Sequence, residues 1–164
     1  MPHGLTIRPA VPSDTALILS FIRQLAEYER LADQVEATEA ELHKWLFCDQ
    51  PVARVLIAEY SGEAAGFALF FHNFSTFLSK PGIFLEDLYV RPSSRGKGIG
   101  KALLTELVKL AHQEGCGRVE WAVLDWNAPA IDFYKSLGAR PMSDWTIFRL
   151  DRAGIKALAE GDEG

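Results

Sequence analysis

The twelve residues SSRGKGIGKALL, Ser93 to Leu104, restrict the fold more than any other stretch. Glycines at 96, 98 and 100 alternate with basic and apolar residues, Arg95, Lys97 and Lys101 among them, and an apolar helical pattern follows without a break. Glycine gives access to left-handed backbone angles and to close approach by another molecule, at an entropic cost that a plain connector need not carry. A helix starting directly behind the loop adds unpaired N–H groups and the positive end of its dipole. Together these make a phosphate cradle.

Three loop types compete for the pattern. A nucleoside-triphosphate loop requires G-x-x-x-x-G-K-[ST], but Gly96 and Gly100 are one residue too close and Ala102 stands where a hydroxyl belongs. A dinucleotide loop requires G-x-G-x-x-G with an acid beyond the next strand, a place Asp125 could fill. The glycines here run G-x-G-x-G, however, and the strands before them read as antiparallel. The remaining form is R-x-x-G-x-G, met by Arg95, Gly98 and Gly100 behind an apolar strand.

The elements around the loop follow from periodicity. LTIRPA alternates as a first strand, and SDTALILSFIRQLAEYERL is an amphipathic helix with Ser13 or Asp14 as cap. TEAELHKWLF opens on Thr38 with Glu41 three residues later, the form of a capping box. ARVLIAEY and AAGFALFF, separated by SGE, read as a hairpin. The loop HNFSTFLSKPG leads to a strand GIFLEDLYV, then come the glycine loop, a helix from about Gly98 to His112, a strand RVEWAVL, a loop DWNAP, a helix AIDFYKSLG and a last strand near WTIFRL. The order β-α-α-β-β-β-α-β-α-β predicts a mixed α/β domain. At 164 residues and 48% hydrophobic, the chain is expected to form a single domain over 1–164.

Charge and cysteine usage exclude some functions. A net charge of -5, from 22 acidic and 17 basic residues, argues against nucleic-acid binding and suits a cationic or neutral partner. Cys48 and Cys116 lie far apart with neither CxxC nor Cys/His ligand spacing, so the sequence offers no zinc or disulfide framework and both read as reduced thiols. No signal-peptide layout and no membrane-length apolar run is present, which predicts a cytoplasmic protein.

The R-x-x-G-x-G form resembles the pyrophosphate-binding motif of the GCN5-related N-acetyltransferases (GNAT). FLEDLYV, RGKGIG, VLDWNAPAIDFYKSLGA and AEYERLADQV are similar to the corresponding blocks of that superfamily's spermidine/spermine and thialysine acetyltransferase branch, and the likeness runs from about Ile7 to Leu150. The resemblance implies the GNAT fold, a central, mostly antiparallel twisted sheet flanked by helices, with a splayed strand pair holding acetyl-CoA. It also implies direct acetyl transfer in a ternary complex, with no metal, to a primary amine of a polyamine, a diamine or a thialysine- or lysine-like amino acid, by a homodimer. Carried over by position, the backbone of Leu88, Tyr89 and Val90 holds the pantetheine arm. Arg95, Gly96, Lys97, Gly98, Ile99, Gly100 and Lys101 form the diphosphate loop, and Asn127, Pro129, Ala130, Tyr134 and Lys135 complete the coenzyme set. Tyr134 is the implied acid for the departing thiolate, and Tyr28, Glu29, Glu86 and Asp87 meet the amine. The chain departs from the polyamine enzymes near RPMSDWTIF, where an acidic pair is reduced to Asp144 in a shorter loop, and AVLDWN stands closer to the thialysine type.

The residues support this chemistry on their own terms. A lysine-like amine with a pKa near ~10.4 is nucleophilic in only about one molecule per thousand at neutral pH, so a carboxylate that attracts the cation and takes its proton, directly or through water, is needed. Strict strand alternation puts Glu86 and Asp87 on opposite faces unless a bulge intervenes, so one of them faces the site, and the resemblance favours Glu86. A phenol with pKa near ~10, as at Tyr134, is a suitable donor to a thiolate. Each residue also has a plainer reading: Glu86 as a solvent-facing strand carboxylate, Tyr134 as a packed ring, Asn127 as a helix cap, and Tyr28 and Glu29 as a helix end. For the chain as a whole the alternatives are a non-catalytic acyl-CoA-binding module and, more remotely, a dinucleotide-dependent oxidoreductase.

Overall fold

The computed structural model describes residues 1–161. By its internal contacts the chain divides into two units, Met1–Leu124 and Asp125–Gly164. The first holds β1 (Leu5–Pro9), α1 (Thr15–Tyr28), α2 (Glu39–Leu46), β2 (Arg54–Tyr60), β3 (Glu63–Ser75), β4 (Lys80–Val90), α3 (Ile99–Gln113) and β5 (Val119–Trp121). The second holds α4 (Ala128–Ser136) and α5 (Arg152–Ala159). The sheet follows chain order, antiparallel from β1 to β4 and parallel between β4 and β5, the mixed α/β architecture expected.

α1 buries Ile18, Phe21 and Leu25, spaced three and four apart, so that one stripe meets the sheet. Phe21 stacks on Phe67 with ring centroids 5.4 Å apart, and Val55, Ile57 and Tyr89 join the same core. Tyr89 and the next residue point to opposite faces. Tyr89 enters the α1 core, whereas Val90 faces Gly100 at the start of α3. α3 contributes Leu103, Leu104 and Leu107 and packs along β3 and β4.

The local signals resolve in different ways. Thr38 accepts from the Glu41 N–H at 3.2 Å, which is half of the expected box, because the Glu41 carboxylate is taken up by Trp45 Nε1 at 3.0 Å. Asp14 stands at the start of α1 without capping it; its carboxylate accepts two hydrogen bonds from Arg8, at 2.7 and 3.0 Å, and one from the Val11 N–H at 2.8 Å. Ser61 and Gly62, with φ of 52° and 82°, form the tight β2–β3 turn. Much of the predicted loop HNFSTFLSKPG is ladder, since β3 and β4 pair as far as Ser75 and Lys80. The expected strand near WTIFRL does not form: residues 141–150 carry no strand, and Trp145, Ile147 and Phe148 are exposed. Alternation confers strand propensity, but a strand exists only where a neighbour completes its ladder.

Candidate active site

The site begins where β5 stops pairing. β4 and β5 are joined at Ile83, Phe84 and Leu85, opposite Val119, Glu120 and Trp121, while β4 runs on to Val90. From Glu86 onward β4 is paired with β3 alone, leaving a splayed strand whose outer backbone groups face the gap. Leu88, Tyr89 and Val90 lie on this stretch, opposite Ala68, Phe67 and Gly66.

A bulge sits at the same point. Phe70 opposes Leu85 and Leu69 opposes Asp87, so Glu86 is the extra residue. The insertion defeats strict alternation and turns both carboxylates to one side. Glu86 and Asp87 line an open cleft of about 320 Å³ with Glu29 from the end of α1, over an apolar wall that includes Ile22 and Leu25. Glu36 lines it too, and no lysine or arginine does so among the described residues. Nothing in the local sequence marks Glu36; it arrives through the turn Ala32–Gln34 that follows α1.

Like charges in a partly dehydrated cleft resist ionisation. Burial, followed by repulsion from Glu86 and Glu29, pushes Asp87 from its ordinary 3.8 up to about 7. Burial, then Glu86, also raises Glu29. Such a cleft favours a cationic guest, whose charge relieves the repulsion.

The glycine loop lies beyond the end of β4. Gly96 and Gly98 both have φ of 77°, and Gly98 caps α3 in the left-handed region. A Cβ at Gly96 would meet nothing within 4 Å, whereas one at Gly98 would touch Pro2 Cγ at 3.5 Å. The first N–H groups of α3, from Ile99, Gly100 and Lys101, open there, and this donor set with a helix dipole behind it fits a diphosphate. The basic side chains turn aside. Arg95 Nε donates to the Val90 carbonyl at 3.0 Å and its guanidinium lies 5.0 Å over Tyr28 and 5.7 Å from Tyr89, while Lys97 lies 4.7 Å over Tyr60. Lys101 is exposed. The Tyr28 ring thus packs against Arg95, while its neighbour Glu29 lines the acidic cleft. Tyr89 OH donates to Gln24 Oε1 at 3.2 Å, a contact that sequence patterning did not foresee.

In the second unit, Asn127 is buried and accepts from the Ala130 N–H at 3.4 Å, capping α4, with Pro129 in its first turn. Tyr134 is half-buried on α4 beside Phe133, ring centroids 5.5 Å apart, and Lys135 is exposed.

The sheet thus stops pairing along its fourth strand, and a helix opened by left-handed Gly98 follows that strand. Residues 21–139 match the family model described as "Acetyltransferase (GNAT) family". The chain is 39% identical to a thialysine N-epsilon-acetyltransferase of Sus scrofa, covering 95% of this chain and 98% of that protein. It is 34% identical to an L-ornithine N5-acetyltransferase of Arabidopsis thaliana, covering 93% and 86%. An integron cassette protein from the mobile metagenome of V. cholerae superposes with a TM-score of 0.80 at 28% identity, covering 96% of this chain and 99% of that one. The chain belongs to the GNAT acetyltransferase family. It is an N-acetyltransferase, and acetyl-CoA is its acetyl donor.

Proposed function

We propose that this enzyme transfers the acetyl group of acetyl-CoA directly to the primary amine of a small cationic acceptor within a ternary complex. The observation that carries the reading is the gathering of Glu29, Glu86 and Asp87 in one cleft where β4 parts from β5. The similar proteins named for thialysine and ornithine acetylation favour an amino acid with a side-chain amine, and diamines and polyamines share the chemistry. In this reading Glu86 and Asp87 attract the ammonium group, and Glu86 accepts its proton directly or through water. The outer backbone of Leu88, Tyr89 and Val90 orients the thioester, and an N–H there stabilises the developing oxyanion. The loop from Arg95 to Lys101 binds the diphosphate through its amides, and Tyr28 adds an aromatic face near the acceptor. Asn127, Pro129, Ala130 and Lys135 border the coenzyme, while Tyr134 protonates the departing thiolate. Both units form a single acetyltransferase domain over 1–164, supported by a family match that runs across their division. A cytoplasmic homodimer belongs to the same reading; light scattering measures the assembly.

A thiol-release assay over thialysine, ornithine, lysine, diamines and polyamines tests the proposal. Turnover with at least one of them is expected, and Tyr134→Phe should lower kcat by about 100-fold or more with acetyl-CoA affinity nearly unchanged. Calorimetric binding of acetyl-CoA with no thiol release across the panel would instead support a coenzyme-binding module.

A further inference from the structure

Away from the cleft, the fold assembles a second constellation that the sequence spacing concealed. His72 on β3, Glu114 just past α3 and Cys116 two residues on place one ligand atom each so that all lie within 4.8 Å of one another. His72 Nε2 is 2.5 Å from Glu114 Oε2, although the two are 42 positions apart in the chain.

The end of α3 sets this geometry. Gly115, with φ of 72°, turns the chain, its N–H donating to the His112 carbonyl at 3.2 Å and that of Cys116 to the Ala111 carbonyl at 2.9 Å. This pairing locks a helix terminus and fixes where Cys116 emerges beside Glu114. Glu114 is held independently: Arg54 Nη1 donates to its Oε1 at 2.9 Å, and the Arg54 guanidinium lies 5.3 Å over the Phe70 ring. Arg54 thus occupies one carboxylate oxygen and leaves the other aimed at His72, as outer-sphere partners orient a ligating carboxylate.

We propose that His72, Glu114 and Cys116 form a binding site for a single zinc ion, with Arg54 as the positioning residue for Glu114. An imidazole, a thiolate and a carboxylate are the nitrogen, sulfur and oxygen donors that zinc takes together, and three protein ligands leave its fourth position to water. In a tetrahedral site such donors stand roughly 3.3–3.7 Å apart, so His72 and Glu114 part slightly and Cys116 draws in, by side-chain movements of about 1 Å. The Cys116 thiol releases its proton to solvent on binding, and no oxidation state changes. The site joins β3 to the connection between α3 and β5. It lies at the far end of α3 from the glycine loop, about 22 Å along a fifteen-residue helix, so its role is to clip the fold and not to take part in acetyl transfer.

The experiment is a cobalt titration of the full-length, chelator-stripped protein in a Cys48→Ser background, since Cys48 is an exposed competing thiol. Expected are one ion per chain, a thiolate-to-cobalt charge-transfer band in the near ultraviolet, and displacement of cobalt by zinc. Cys116→Ser abolishes the band, His72→Ala abolishes saturable uptake, and Arg54→Leu weakens affinity by about 10–100-fold. Zinc at about 100 times its Kd raises Tm by about 5–10 °C and leaves the coenzyme affinity unchanged. Absence of the charge-transfer band, or uptake by Cys116→Ser and His72→Ala as tight and as saturable as that of the parent, overturns the proposal.

Discussion

Replacing Asp87 with asparagine separates the stability of the cleft from its use. Between pH 3.8 and about 7 the folded chain keeps on Asp87 a proton that the unfolded chain has lost. Stability therefore falls as pH rises through that window and levels off above it. The rise from 3.8 to about 7, at about 1.36 kcal/mol per pH unit, sets a ceiling near 4 kcal/mol. Asp87 is half-buried on an open cleft, and water screening reduces this to about 2 kcal/mol. Asparagine keeps the shape and removes the charge, so Asp87→Asn should raise Tm at pH 8 by about 4–8 °C. The gain should shrink to a small remainder near pH 4 and vanish below 3.8, where Asp87 becomes protonated in both states. The same change withdraws one of the charges that attract the acceptor, and kcat/KM for the amine should fall by about tenfold, equivalent to ~1.4 kcal/mol. Thermal melts from pH 4 to 8 and acceptor kinetics at pH 8 measure both sides. An unchanged Tm at pH 8, or a gain as large at pH 4, would refute the idea that burial and carboxylate repulsion strain this site.

Gly66→Ala would put a Cβ 2.4 Å from the Tyr89 carbonyl oxygen and 3.2 Å from Val90 Cα, forcing β3 from β4 at about 1–3 kcal/mol; the urea midpoint should fall at constant m. Gly98→Ala, at φ of 77°, should cost about 1–2 kcal/mol and weaken acetyl-CoA binding. The control Gly62→Ala, at φ of 82°, should cost similar stability without touching coenzyme affinity, and calorimetry with both variants distinguishes the two effects. Arg8→Met strips Asp14 of its bidentate partner and Glu59 of a bond of 2.8 Å, a loss of about 2 kcal/mol at pH 7. Because hydrogen bonding from Arg8 holds the Asp14 carboxyl below its ordinary value, this stabilisation is present above that value and is lost as pH falls. The variant and the parent should therefore converge in acid melts.

What the sequence determined alone was short-range. The glycine spacing in SSRGKGIG decided that a helix would be capped by left-handed residues, because φ near 77° at Gly96 and Gly98 is a property of single positions. The three-and-four spacing of Ile18, Phe21 and Leu25 likewise made α1 amphipathic before any partner was known. The predicted strand near WTIFRL marks the limit, since alternation cannot supply the neighbour that a ladder needs. Tertiary structure decided the questions of register and adjacency. Glu86 and Asp87 share one cleft only because β4 carries an extra residue against β3, and a bulge depends on the partner strand's register. Glu29 joins them from α1, and His72 meets Glu114 and Cys116 from β3, across separations that no local period encodes. Periodicity is a property of the chain, whereas which side chains stand together is set by how distant segments pack.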